Sequence, residues 1–151
     1  MSASVGSQIP LFSLPDQNGE IINIENLIGS RNLVIYFYPK DETAGCTKEA
    51  CAFRDRYEEF KDAGAEVIGI SSDSVESHKS FEKHHRLPFT LLSDEGSMVR
   101  KLFKVPSGLF GVLQGRVTYI VDKKGVVNYM FSSQTQINKH ITKALEVLQN
   151  L

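Results

Sequence analysis

The residues of this chain best placed to do chemistry are its two cysteines, Cys46 and Cys51. Two are too few for a disulfide framework in a chain of 151 residues, so the pattern points to a reducing compartment where a disulfide is transient and functional. Cys46 follows the loop Pro39-Lys40-Asp41-Glu42-Thr43-Ala44-Gly45 and enters the first long helix. A thiol in the first turn of a helix meets unsatisfied backbone N–H groups and the positive end of the macrodipole, and both favour thiolate over thiol. Cys46 also lies four residues before Ala50 on an apolar stripe, which equally suits a small core residue. Five residues apart on an intact helix, the two cysteines have Cα atoms roughly 8 to 9 Å apart. A disulfide needs less than about 7 Å. The pair can close only if the first helical turns unwind.

Other chemistries are poorly served. Two cysteines and four scattered histidines do not form a tetrahedral metal set. His84 and His85 are adjacent, so on a helix they are expected to point apart as surface residues. With 17 basic and 18 acidic residues well mixed, the chain has no electrostatic footprint for nucleic acid or anionic lipid, and Arg100, Lys101 and Lys104 read as a solvated helix face. No apolar run approaches the roughly 20 residues of a membrane span. Met1 to Ser7 carries neither a secretory core nor an Arg-rich transit pattern, so the chain is expected to work where it is made or after loss of a leader.

The elements that must position the cysteines follow from periodicity. Leu33 to Tyr38, Val67 to Ile70 and Val117 to Val121 are apolar runs of strand length, each read as buried on both faces. Ala50, Phe53, Tyr57 and Phe60 form a helical stripe that Gly64 stops. Asp73 to His85 carries Val75, His78 and Phe81 at helical spacing, and Met98, Val99, Leu102 and Phe103 mark a shorter helix after Asp94 that Pro106 ends. Asp122-Lys123-Lys124-Gly125 joins Val117–Val121 to Val126–Phe131 as an antiparallel hairpin, and Ile141, Ala144, Leu145 and Leu148 give a closing helix. Gln17-Asn18-Gly19 is a turn in an N-terminal hairpin. The order strand, helix, strand, helix, strand, helix, hairpin, helix implies an α/β fold of one domain over 1–151, with a mixed central sheet flanked by helices.

The segment Tyr36-Phe37-Tyr38-Pro39-Lys40-Asp41-Glu42-Thr43-Ala44-Gly45-Cys46-Thr47-Lys48-Glu49-Ala50-Cys51 resembles the active-site segment of peroxiredoxins of the Q, or bacterioferritin comigratory protein, subfamily. The resemblance covers nearly the whole chain, including Phe53-Arg54-Asp55, Pro88 to Asp94 and Gly115-Arg116-Val117-Thr118-Tyr119. It implies a thioredoxin-like fold, a monomer, hydroperoxide as substrate, and thioredoxin or glutaredoxin as electron donor. It also implies Cys46 as the peroxidatic cysteine and Cys51 as the resolving cysteine, joined in turnover as a Cys46-Cys51 disulfide, with Pro39, Thr43, Gly45 and Arg116 completing the peroxide pocket. Ala44 stands where many relatives have a second proline. No metal, haem or flavin is implied, because both electrons come from sulfur.

The chemistry of these residues agrees with the implied roles. Attack of a thiolate on an O–O bond needs two oxygens held in line and charge stabilised on the leaving one. Arg116 offers a permanent cation with several donors, and Thr43 a hydroxyl beside the helix start. Taken singly, Arg116 also suits a surface ion pair, Thr43 a helix cap, and Glu49 either an Arg116 partner or a charge at the helix start. Two other functions fit a cysteine pair: a thiol-disulfide oxidoreductase acting on proteins, and a redox-sensing binding protein without turnover. The absence of a Cys-x-x-Cys spacing argues against a simple thioredoxin. The expected setting is the cytoplasm of a bacterium or cyanobacterium, with a processed plastid protein as the alternative. The segment Pro106 to Gly115, with Leu109, Phe110, Val112 and Leu113, suits an apolar wall near the site, a docking patch or a packed loop.

Overall fold

In the computed structural model, which describes residues 3–106 and 114–151, five strands form one mixed sheet. In chain order the elements are β1 (Ser13–Pro15), β2 (Ile21–Asn23), β3 (Asn32–Phe37), α1 (Ala44–Asp55), α2 (Tyr57–Asp62), β4 (Ala65–Ser71), α3 (Val75–His85), β5 (Thr90–Ser93), α4 (Met98–Phe103), β6 (Val117–Val121), β7 (Val127–Ser132) and α5 (Ile137–Gln149). The main sheet runs β5-β4-β3-β6-β7, with β3 parallel to β4, β4 parallel to β5, and β6 and β7 antiparallel to their neighbours. β1 and β2 pair separately as the N-terminal hairpin, turning at Gly19 with φ 81°. The third strand of the expected order is β5.

β3 is central because its side chains are apolar on both faces. Val34, Tyr36 and Tyr38 enter one core with Ala50 and Phe53 of α1, Phe60 of α2, Phe81 of α3 and Ile141, Ala144, Leu145 and Leu148 of α5. Leu33, Ile35 and Phe37 enter the other with Ile9, Phe12, Ile24, and Val99 and Phe103 of α4. Each fully buried large apolar side chain contributes roughly 1.5–3 kcal/mol, so this strand anchors both layers. Residues before β1 run beside β7, where the Gly6 N–H donates to Val127 O and the Val127 N–H to Ser7 O.

Three local expectations need correction. The stripe Ala50 to Phe60 is two helices, because the chain leaves helical geometry at Arg56 (φ −114°, ψ 16°) and both pieces press aromatic residues into one core. The third helix starts after Ser74, whose hydroxyl accepts from the Ser77 N–H, while Asp73 accepts from the Asp41 N–H and the Ser71 hydroxyl. In α4 the buried residues are Val99, Arg100 and Phe103, whereas Met98 and Leu102 are exposed. The Asp94 carboxylate accepts from the Val99 and Arg100 N–H groups and sets that rotation.

Candidate functional site

Cys46 occupies the third position of α1, just beyond the end of β3. The buried positions of α1 are Cys46, Glu49, Ala50 and Phe53, a helical spacing that puts the sulfur at the head of the packed face. Cys46 is 1% exposed, so the core-residue reading of its position is geometrically right. What distinguishes it from a filler is its neighbour: Arg116 Nη2 lies 3.5 Å from Cys46 Sγ. Arg116 comes from the residue before β6, the antiparallel neighbour of β3, so sheet register brings the cation to the helix start.

Arg116 is itself buried, and its Nη1 donates to Glu49 Oε1 at 2.7 Å. Glu49 is therefore an Arg116 partner, one of the two roles its sequence position allowed. Burial pushes the Glu49 carboxyl up to about 7 against the opposing pull of the Arg116 guanidinium. Arg116 is held up despite its own desolvation, because Glu49 and Cys46 both favour its charged form. Glu49 Oε2 has no hydrogen-bond partner among the described residues and lies 3.7 Å from His140 Nδ1. That ring nitrogen shares a proton with the Thr118 hydroxyl at 2.7 Å, while Nε2 faces the Ser133 carbonyl at 2.8 Å. Carbonyls only accept, so Nε2 carries the hydrogen and Nδ1 accepts from Thr118. Burial lowers His140 to about 4, keeping the ring neutral beside the ion pair.

Gly45 sits where the guanidinium passes closest to the backbone: a Cβ there would meet Arg116 Nη2 at 3.0 Å. Thr43 is the residue before α1 and is exposed; its hydroxyl donates to the Lys40 carbonyl at 2.8 Å and does not cap the helix. Its oxygen lone pairs stay available as acceptors beside the first-turn amides. Pro39 is half-buried in the same loop. Cys51 is half-buried on α1, with Asp55 exposed one turn on, and both cysteines are free thiols. Because α1 is unbroken from Ala44 to Asp55, the two thiols are separated by the helical geometry that demands unwinding.

Two groups near the site were read differently from sequence. Arg100 is not on a solvated face: it is 8% exposed, and its guanidinium donates to the Tyr38 carbonyl at 3.0 Å and the Gly115 carbonyl at 2.8 Å. It thereby ties the end of β3 to the residue before Arg116. His84 and His85 do not point apart; both reach the Glu42 carboxylate, at 2.9 Å each. Leu109, Phe110, Val112 and Leu113 lie outside the described residues.

The loop is anchored from beneath by groups that sequence reasoning missed. Asp41 is 4% exposed and accepts from the Tyr38 hydroxyl at 2.5 Å and the Ser77 hydroxyl at 2.8 Å. Its Oδ2 lies 2.7 Å from His78 Nδ1, and His78 Nε2 lies 3.0 Å from the Leu92 carbonyl. Both ring nitrogens face acceptors, so the network holds a proton on each, or one on the Asp41 carboxyl. His78 stood on the apolar stripe of α3, which was the available signal; Asp41 offered none.

Known proteins are similar to this chain in both sequence and fold. The model of the AhpC/TSA family matches residues 5–130. A chloroplastic peroxiredoxin Q from Triticum aestivum is 59% identical over 148 residues, covering 98% of this chain and 68% of that protein. One from Sedum lineare is 58% identical over 146 residues, covering 97% and 78%. Among solved structures, the peroxidoxin BcpB from Mycobacterium tuberculosis superposes with a TM-score of 0.89 at 37% identity, covering 97% of each chain. A Xanthomonas campestris bacterioferritin comigratory protein, studied for alkyl peroxide reduction, gives 0.85 at 31% identity, covering 94% and 96%. With a family model spanning most of its length and relatives identical at more than half of the aligned positions, the chain belongs to the AhpC/TSA family, among the peroxiredoxins of the Q type.

Proposed function

We propose that this chain is a thiol peroxidase in which Cys46 reduces hydroperoxides and Cys51 resolves the product. The observation that carries the reading is the Arg116 cation at 3.5 Å from Cys46 Sγ, in the first turn of a helix. A fixed positive charge and first-turn amides stabilise an anionic sulfur and the negative charge growing on a leaving oxygen. The Cys46 thiolate attacks the terminal oxygen of the hydroperoxide and the O–O bond breaks. Cys46 becomes a sulfenic acid, and the departing alkoxide or hydroxide takes a proton to leave as alcohol or water. Thr43, with its hydrogen given to Lys40, accepts from the peroxide hydroxyl; Gly45 keeps the space through which Arg116 reaches the sulfur; Pro39 walls the loop against water.

The first turns of α1 then unwind, and the Cys51 thiolate attacks the Cys46 sulfur with loss of water, forming the intramolecular disulfide. A dithiol protein, thioredoxin or glutaredoxin, reduces that bond by exchange. Both cysteines belong to one chain, so the disulfide needs no second subunit, which suits a monomer. Chloroplastic relatives support a plastid setting, and a bacterial or cyanobacterial cytoplasm is the second. The oxidoreductase and sensor readings draw no support from these relatives.

The test is the intact mass of the reduced protein, under non-reducing conditions, within seconds of adding one equivalent of hydrogen peroxide. Loss of two hydrogens in the monomer is the expected result. Cys46→Ser abolishes the change, whereas Cys51→Ser gains one oxygen instead. An unchanged wild-type mass would remove the assignment of Cys46.

A further inference from the structure

Glu42, His84 and His85 converge beside the pocket without belonging to it. Glu42 lies in the loop before Cys46 and holds a left-handed backbone, φ 61°, uncommon for a residue other than glycine. His84 and His85 end α3, where Arg86 closes the helix, also left-handed at φ 53°. Neighbouring helical side chains start about 100° apart. His84 uses its near nitrogen, Nδ1, and His85 its far nitrogen, Nε2, so both reach one carboxylate and the rings lie 4.1 Å apart. All three potential ligand atoms fall within 4.8 Å of one another. The His85 ring rests edge-on against Phe81, with centroids 5.1 Å apart, and is 16% exposed. His84 and Glu42 are 65% and 44% exposed, so an ion has a path in from solvent.

We propose that these three side chains form a binding site for a divalent transition metal of the zinc class, which clamps the peroxidatic loop to α3. Two imidazoles and one carboxylate are the donors zinc prefers, with water in the fourth place. Zinc–nitrogen bonds of about 2.0–2.1 Å in a tetrahedron put ligand atoms roughly 3.3 Å apart. The present 2.9 Å separations need open by only a few tenths of an ångström. The ion replaces the hydrogens that now link the histidines to Glu42, each ring then carrying its hydrogen on the nitrogen that faces away from the ion.

The clamp, unlike the binding, rests on the proposed peroxidase cycle. The His85 carbonyl accepts from Arg54 of α1 at 2.7 Å, so the end of α3 holds α1 as well as the loop. Disulfide formation needs that loop and the first turns of α1 to move. A ligand that binds only the closed arrangement stabilises it by mass action and slows the step.

The binding test uses Cys46→Ser/Cys51→Ser protein, in which no thiolate can ligate, titrated calorimetrically with zinc chloride and, separately, magnesium chloride. One zinc per chain and no magnesium uptake are expected. Glu42→Gln, and His84→Ala with His85→Ala, each weaken zinc binding by at least about 10-fold. No zinc uptake, or uptake unaltered in both variants, overturns the site. With both cysteines restored, zinc slows disulfide formation after one equivalent of peroxide, chelator reverses the effect, and the double-histidine variant is insensitive. Equal slowing in that variant would put the zinc on the thiols and overturn the clamp. Failure of the metal-free protein to form any disulfide would count against the peroxidase cycle while leaving the binding result intact.

Discussion

Arg116 holds a single positive charge between two acidic partners, the Glu49 carboxyl at 2.7 Å and the Cys46 thiol at 3.5 Å. Its value to catalysis depends on how much of that charge reaches the sulfur, and on a guanidinium geometry that serves both neighbours at once. Arg116→Met is expected to slow the first oxidation of Cys46 by about 10²–10³-fold, the usual loss on removing one charge-stabilising donor. Arg116→Lys restores only part of this, because an ammonium cannot span the carboxylate and the sulfur together. With no tryptophan in the chain, rapid quench and mass analysis is the suitable readout, and an Arg116→Met rate within about threefold of wild type would exclude the role. Gly45→Ala tests the same contact from the backbone side. The new Cβ moves Nη2 by a few tenths of an ångström, so the loss should stay below the roughly 10²-fold that a 1 Å misplacement causes. These partners were only half legible in the sequence. Type and position singled out Arg116, but nothing local distinguishes a buried guanidinium from an exposed one; the Glu49 pairing spans 67 residues and arises from sheet register.

The helix and loop around Cys46 must be firm enough to hold the pocket and loose enough to let Cys51 in. Ala44 is the first residue of α1, where a proline is tolerated because that N–H has no helical partner. Thr43, at φ −85° and ψ 155°, already has the extended conformation required before proline. Ala44→Pro should therefore raise stability to urea by about 0.4–1 kcal/mol through the unfolded chain, and slow disulfide formation without slowing sulfenic acid formation. Slower sulfenic acid formation would mean that the substitution disturbs the pocket itself. Asp41 is the opposite case. Replacing it with alanine strips partners from Tyr38, Ser77 and His78 in the interior, and should cost about 3–5 kcal/mol in equilibrium unfolding. The strands and the hairpins were legible because apolar runs and Gly-containing turns are local signals. The break at Arg56 and the inward turn of Arg100 were not, since tertiary packing and the Asp94 carboxylate decide them.

Across the whole molecule, polar groups thread a core that composition alone describes as ordinary. Glu49, Arg116, Thr118 and His140 join α1, the start of β6 and α5 in one buried chain of contacts. His140 was not singled out in the sequence, although it falls at helical spacing on the buried face of α5, three residues after Ile137 and four before Ala144. This seam links stability to pH in two opposing ways. Glu49, raised from 4.5 to about 7, binds its proton more tightly in the folded chain; its contribution is full below about 4.5 and is lost as pH rises through about 7. His140, lowered from 6.5 to about 4, resists protonation when folded; its contribution is full above about 6.5 and is lost as pH falls through about 4. Between these limits the two slopes oppose one another, and the seam contributes a nearly level profile. Glu49→Gln removes one slope. Urea unfolding of that variant should show a deficit of about 0.5–1.5 kcal/mol below about pH 4.5, where the Glu49 carboxyl is as neutral as the amide and only the hydrogen bond to Arg116 changes. Its stability should also rise from pH 4.5 to 6.5, where the wild type stays level, and the deficit should narrow as the wild type approaches pH 8. A deficit constant across that range would mean that Arg116 keeps Glu49 ionised throughout, so that Cys46 always shares its cation with a full negative charge.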